Sequence, residues 1–202
     1  MLQLYVDSRF LSPYAMAAFV ALTEKRLPFT LRGCDLAAGE QLDPAYRAQS
    51  LTARVPMLLD GDFALTESSA IIEYLEERYP DAPRVLPAEP RARARARQLQ
   101  AWLRSDLLPL REERSTEVVF LRPPSQPLSA EARAAGDKLL AVAAAVLPAD
   151  GGDLFGPWSV VDAELALMLR RLRHDGLPAP LAAYAERQWQ RPSLQAWRAR
   201  QG

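Results

Sequence analysis

The sequence has almost no cysteine and almost no histidine. Cys34 is the one cysteine among 202 residues. An intrachain disulfide framework and a Cys-x-x-Cys redox pair are therefore excluded. His174 is the one histidine, so neither a histidine-rich metal site nor a Ser-His-Asp triad is expected, and no metal is assigned. Excess charge of one sign is missing too: Lys+Arg and Asp+Glu stand at 25 each. No global field draws the chain to nucleic acid or to an anionic membrane surface. No apolar run approaches the ~20 residues that span a bilayer, and the first residues lack the basic segment and apolar core of a secretory signal. These absences predict a soluble cytoplasmic protein with no nucleic-acid or membrane partner.

What is present is an ordinary globular composition, with 49% apolar and 25% charged residues, long enough for one large domain or two small ones. Leu2–Val6 alternates and reads as a strand. Pro13 suits the first position of a helix running to about Lys25. Residues 29–32 read as a second strand, and a short helix is expected after Pro44. A third strand opens at Val55-Pro56, and Asp60-Gly61-Asp62 has the chemistry of a hairpin turn into a fourth short strand. A helix over 66–79 follows. The order is β-α-β-α-β-β-α: an α/β half with one parallel pair and an antiparallel edge.

Pro80, Pro83, Pro87 and Pro90 then mark a linker, and no strand pattern follows. The expected division is an α/β domain over 1–82, a linker over 83–90 and an all-α domain over 91–202. In the second half we expect one long helix from Arg91 toward Val119 kinked at Pro109, a helix from Ser129 to about Leu147, one from Ser159 to about His174, and shorter ones near 181–190 and 193–200. The arginines at 91, 93, 95 and 97 have period two. They form no single stripe on a helix and read as solvated or at a subunit edge.

Three short motifs in the first half carry chemistry. Ser12 precedes Pro13, so it occupies the N-cap. A serine there stabilises a helix by ~1 kcal/mol, and the same N–H groups and positive helix end favour a nearby anion, a thiolate included. Val55-Pro56 stands at a strand start, where proline is tolerated. A cis bond, which the sequence leaves open, would turn the Val55 N–H and C=O outward to pair with a peptide-like ligand in strand fashion. Glu67-Ser68 opens a helix. Simple capping, with Thr66 and Ser69 at box spacing, is one reading. The other is a hydroxyl and backbone N–H groups that hold a carboxylate while Glu67 faces an ammonium, a set that suits an amino-acid head group. Together these motifs predict a small carboxylate-bearing ligand around Val55-Pro56 and Glu67-Ser68.

In this order, with a Pro-rich linker and a helical half behind them, Ser12-Pro13-Tyr14, Arg54-Val55-Pro56 and Glu67-Ser68 resemble the cytosolic glutathione transferases over essentially the whole chain. Ser159-x-x-Asp162, a capping box with Asp in place of Glu, adds to the resemblance. Gln100-Ala101-Trp102-Leu103-Arg104-Ser105-Asp106, with Arg111-Glu112-Glu113-Arg114, is similar to a serine-type bacterial subgroup. The resemblance implies a thioredoxin-like first domain, glutathione as co-substrate and a homodimer. It implies that Ser12 donates to the glutathione thiolate and that the Val55 backbone pairs with the cysteinyl part. It further implies that Pro56 is the cis-proline, that Glu67 and Ser68 hold the γ-glutamyl end, and that Arg54 contacts the glycyl carboxylate. Ser8 shares the first loop but lacks the Pro-x helix start, and Tyr5 lies inside a strand. Cys34 reads as packing.

The reaction implied is conjugation of the thiolate to an electrophile, or reduction of a peroxide, in a detoxification or oxidative-stress role. Phe10, Tyr14, Trp102 and Asp106 are candidates for the second-substrate site, with Leu103 and Leu110 on the same helical spacing. Two other readings stand beside it. One is a glutathione-dependent isomerase, although the chain lacks the Ser-Ser-Cys loop of that group. The other is a non-catalytic glutathione-binding or interaction module.

Overall fold

A computed structural model describes residues 1–201. The chain divides into two compact units, Met1–Val85 joined by residues from Pro192 onward, and Leu86–Arg191.

The first unit is built on a four-stranded sheet of order β2-β1-β3-β4, from β1 (Leu2–Asp7), β2 (Phe29–Cys34), β3 (Met57–Asp60) and β4 (Phe63–Thr66). β1 runs parallel to β2 and antiparallel to β3, and β3 is antiparallel to β4. The parallel pair is joined through α1 (Pro13–Glu24), as a parallel connection requires. Asp60 pairs with Phe63 across a two-residue turn in which Gly61 has φ +66, a conformation glycine adopts without a Cβ clash. Leu2, Leu4 and Val6 of β1 are buried. Every residue of α1 from Ala15 to Leu22 is buried as well, as expected of a helix with no polar face. It packs on β1, on α3 (Ser68–Arg78) and on α10 (Pro192–Arg198). The sequence reading assigns that last helix to the helical half. It packs on α1, where the Ser193 hydroxyl donates to Glu24 at 2.5 Å.

Several boundaries differ from expectation: β1 runs on to Asp7 and β2 to Cys34. β3 begins at Met57 rather than Val55, so Val55 and Pro56 form its approach. α3 begins at Ser68 rather than Thr66, because Thr66 completes the β3–β4 ladder opposite Met57. Residues 40–42 form a 3-10 turn before α2 (Pro44–Arg47).

The second unit is helical: α4 (Pro90–Ser105), α5 (Leu108–Glu113), α6 (Thr116–Phe120), α7 (Ala130–Val146), α8 (Val160–Arg170) and α9 (Ala179–Trp189). The single long helix expected over 91–119 is thus three helices. The first break falls at Leu107, whose φ is +62, and Pro109 sits harmlessly in the first turn of α5. α8, which ends at Arg170 rather than near His174, is buried from Val160 to Leu169 and packs against α4, α7 and α9. Its N-terminus carries the expected capping box. Asp162 Oδ2 accepts from the N–H and the hydroxyl of Ser159 at 2.9 and 3.0 Å, and Oδ1 accepts from Leu154 N–H and the Tyr184 hydroxyl.

Candidate functional site

The sheet register gathers the predicted residues at one end of the first unit. Tyr5 and Thr66 both pair with Met57, so the three form one row across the sheet. Just beyond this row come Asp7 on β1, Pro56 and Val55 before β3, and Glu67 and Ser68 after β4. Ser12 follows Asp7 through a five-residue step held by hydrogen bonds. Phe10 and Tyr14 flank Ser12 in sequence.

Ser12 is the N-cap of α1, half-buried, and its Oγ accepts from Ala15 N–H at 3.2 Å. Accepting that bond leaves the hydroxyl proton available to donate, so an anion placed there meets an O–H and the positive end of a twelve-residue helix. Ser8 is exposed, and its N–H donates to the Cys34 carbonyl at 2.9 Å. It caps no helix. Tyr5 is in β1 and packs edge-on against Tyr46.

The Val55-Pro56 bond is cis. Val55 packs against the buried cluster of Cys34, Tyr46, Met57 and Leu59. Cys34 is the last residue of β2, and burial, followed by the nearby Glu40 and Asp35, pushes its thiol up. A thiol held protonated in packing is no nucleophile. Arg54 is exposed, and its carbonyl accepts from the Tyr46 hydroxyl at 2.8 Å.

At the start of α3 the capping expectation does not hold. Glu67 is the N-cap residue, yet its side chain makes no cap bond, and its φ is +70. A non-glycine residue in that region costs ~1–3 kcal/mol, and such outliers concentrate at ligand sites. Glu67 is exposed and Ser68 is buried. The first turn of α3 therefore offers N–H groups uncapped by the Glu67 side chain beside a serine hydroxyl, a donor set that fits a carboxylate. Glu67's own carboxylate is turned to solvent, where an ammonium can meet it.

Phe10 and Tyr14 belong to the first unit, Trp102 and Asp106 to the second. Trp102 Nε1 donates to Asp106 Oδ2 at 2.9 Å, and Oδ1 accepts from Leu107 N–H at 2.7 Å. Lys138 also pairs with Oδ2. These bonds, the Lys138 bond first, hold the Asp106 carboxyl down at about 2. Asp106 thus fixes the indole, and Trp102 lines a cavity of about 420 Å³ with Leu99, Val142 and Leu154. Leu103 and Leu110 are buried core residues.

Two contributors escape a reading of the sequence. Asp7 is buried and its carboxylate accepts main-chain N–H groups of the Ser12 loop. Tyr46 fixes the carbonyl just before Val55. The one available signal for Asp7 is an acid at the end of an alternating strand. Tyr46 gives none. Among the described residues no group of three or more His, Cys, Asp or Glu side chains is placed to hold a metal ion. Among the same residues no helix is long and apolar enough to cross a membrane.

A βαβ unit extended by a hairpin and helix, with anion-favouring groups gathered at one sheet end and a helical unit after it, defines a thioredoxin-like domain followed by an all-α domain. Comparison with known proteins gives this architecture a family. Residues 8–83 match the glutathione S-transferase N-terminal domain, and residues 89–201 match the glutathione S-transferase C-terminal domain. Glutathione S-transferase theta-1 of Bos taurus is 33% identical over 204 residues, covering 98% of this chain and 81% of that protein. The theta-2 protein of Rattus norvegicus is 37% identical over 101 residues, covering 50% of this chain and 41% of the relative. That match spans less than half the relative's length. A glutathione transferase homologue from Burkholderia, solved with bound glutathione, has a TM-score of 0.81 and 42% identity, covering 99% of this chain and 97% of that one. The chain belongs to the glutathione S-transferase family.

Proposed function

We propose that this protein is a glutathione transferase, of the serine type, that joins the sulfur of glutathione to an electrophilic carbon and also reduces peroxides. Glutathione supplies the nucleophilic sulfur. The chain supplies binding, orientation and a donor to the thiolate. Glu67, Ser68 and the first turn of α3 hold the γ-glutamyl end. The Val55 main chain pairs with the cysteinyl part, beside the cis Pro56, and Arg54 meets the glycyl carboxylate. Phe10, Tyr14 and Trp102 shape selectivity for the second substrate, and Asp106 contributes through the indole it holds. A homodimeric, cytoplasmic, bacterial protein with a role in detoxification or oxidative stress completes the reading.

The observation that carries this reading is the Ser12 hydroxyl, accepting from Ala15 N–H at the start of a buried helix with its proton left to donate. The test compares Ser12→Ala with Ser8→Ala in conjugation of glutathione to a chloronitrobenzene and in turnover of an organic hydroperoxide. Loss of roughly 10²-fold in kcat is expected for Ser12→Ala, the scale for removing one donor to a developing charge, with Ser8→Ala unchanged. Equal rates in Ser12→Ala and wild type refute the role of Ser12. Glutathione binding in a calorimeter without turnover on any electrophile or peroxide would make the protein a binding module. Turnover of a maleyl-type diacid alone would make it an isomerase.

A further inference from the structure

The loop from Ser8 to Ser12 does not choose its own shape. Asp7, 6% exposed, stands at its start. Its Oδ2 accepts from Leu11 N–H at 2.6 Å and its Oδ1 from Ser12 N–H at 3.0 Å, while its carbonyl accepts from Phe10 N–H at 3.0 Å. From the other side, Gln201 Nε2 donates to the Phe10 carbonyl at 2.9 Å, and the Phe10 ring lies edge-on to Trp197 of α10 with centroids 5.0 Å apart. Phe10 itself has φ +55, a conformation that persists in a bulky residue only where the surroundings impose it. A buried carboxylate is costly to desolvate and is retained only with good hydrogen bonds. Here both oxygens take main-chain N–H groups of the loop, one of them on Ser12 itself.

We infer that Asp7 is a positioning residue for the Ser12 hydroxyl, and that Gln201 serves the same end by fixing Phe10. This inference rests on the reading of Ser12 as the thiol donor. Asp7 acts through geometry and not through its charge. The two effects have opposite signs: a carboxylate near the sulfur disfavours a thiolate, whereas a correctly placed Ser12 favours it. Asp7→Asn separates them, because the amide keeps the size and one acceptor oxygen but loses the charge and the second acceptor.

The experiment uses the full chain as wild type, Asp7→Asn, Gln201→Ala and Ser12→Ala. It reads glutathione affinity by calorimetry, the thiolate ultraviolet band of bound glutathione at neutral pH, kcat and KM with a chloronitrobenzene, and amide hydrogen exchange at Leu11 and Ser12. For Asp7→Asn, affinity and KM for glutathione stay near wild type, exchange at Leu11 and Ser12 speeds up, and the thiolate band and kcat fall roughly tenfold, within the range expected for sub-ångström misplacement of a reacting group. Gln201→Ala moves the same readouts in the same direction by less. An unchanged thiolate band and kcat in Asp7→Asn overturn the inference, and so does a stronger band, which would assign Asp7 an electrostatic effect. If Asp7→Asn does not fold, Gln201→Ala decides: an unchanged band and kcat there overturn it. Activity lost in Ser12→Ala but kept in Asp7→Asn defeats this inference alone. Failure of the wild type to bind glutathione, or full activity in Ser12→Ala, defeats the reading beneath it as well.

Discussion

The hydroxyl of Tyr46 donates to the main-chain carbonyl of Arg54 at 2.8 Å, one residue before the strand approach that the proposed function assigns to ligand pairing. Tyr46 is anchored in the cluster of Cys34, Met57 and Leu59, and burial pushes its phenol well up, so it remains a donor. The bond ties an exposed loop to the sheet. Tyr46→Phe keeps the ring and deletes the bond. A partly buried hydrogen bond contributes ~0.5–1.5 kcal/mol, so urea unfolding should show a loss of about 1 kcal/mol. Glutathione KM should rise several-fold with kcat retained, because the proposed function sets Arg54 and Val55 against the peptide and not the reacting sulfur. Steady-state kinetics at varied glutathione check the split. A fall in kcat at constant KM would contradict it.

A second prediction concerns the buried pair Lys25–Glu76. The ammonium stands 2.9 Å from Glu76 Oε1, and both side chains are 1% exposed. Lys25 also donates to the Pro83 carbonyl, and Glu76 Oε1 accepts from Val85 N–H. The pair thus fastens the proline-rich segment after α3 to the first unit. Breaking a buried pair leaves one charge uncompensated, at a cost of ~3–5 kcal/mol. Glu76→Leu, which strands Lys25, should lose about that much by chemical denaturation, and Lys25→Met should lose less, because Arg84 Nη1 still stands 3.8 Å from Glu76 Oε2. The double variant should lose less than the sum of the two single losses, because no buried lone charge remains. Additive losses would show that the pairing is not what each residue contributes.

Much of the first unit was legible because its signals are local. The alternation in Leu2–Val6, the Pro13 helix start and the Asp60-Gly61-Asp62 turn each impose one backbone choice. Ser12 and the Ser159–Asp162 box were legible for the same reason, since capping needs only a few consecutive residues. What the sequence hid is long-range. Thr66 reads as a helix start until the ladder opposite Met57 claims it for β4. Glu67 reads as a cap until its φ of +70 turns its side chain away. Asp7 shows only as an acid at the end of an alternating strand, and nothing local says that its oxygens face Leu11 and Ser12. The last helix shows the same limit: Pro192–Arg198 has an ordinary helical pattern, and nothing local says that Trp197 meets Phe10 and Phe19.

A third prediction uses Asp106. Its carboxyl is held at about 2 against an ordinary value of 3.8, first by the Lys138 bond, then by Leu107 N–H and Trp102 Nε1. The native state binds this proton less readily than the unfolded chain, so stability falls as pH falls. The contribution is complete above pH ~4 and disappears as pH drops through about 2. Lys138→Ala should therefore lower Tm at neutral pH, by a modest amount since the pair is solvent-facing. The difference from wild type should shrink steadily between pH ~4 and ~2. Thermal melts across that range measure it. A difference that stays constant with pH would assign the loss to Lys138 packing instead of to its charge.

The last prediction sets two effects of opposite sign against each other at Leu107. Its φ of +62 breaks the run from α4 into α5, and a non-glycine residue there costs ~1–2 kcal/mol. Glycine would remove that cost. Yet the Leu107 side chain is 1% exposed, and deleting a buried leucine side chain costs ~2–5 kcal/mol through lost transfer energy and the cavity left behind. Burial wins, so Leu107→Gly should destabilise the protein by ~1–3 kcal/mol even though it relaxes the backbone. Leu107→Ala should lose more than Leu107→Gly, because alanine forfeits the same packing and keeps the strained φ. For an ordinary helical leucine the order would be reversed, since glycine is the poorer helix former. Urea unfolding of the two variants reads that order directly, and alanine as the milder change would mean that residue 107 is helical in solution.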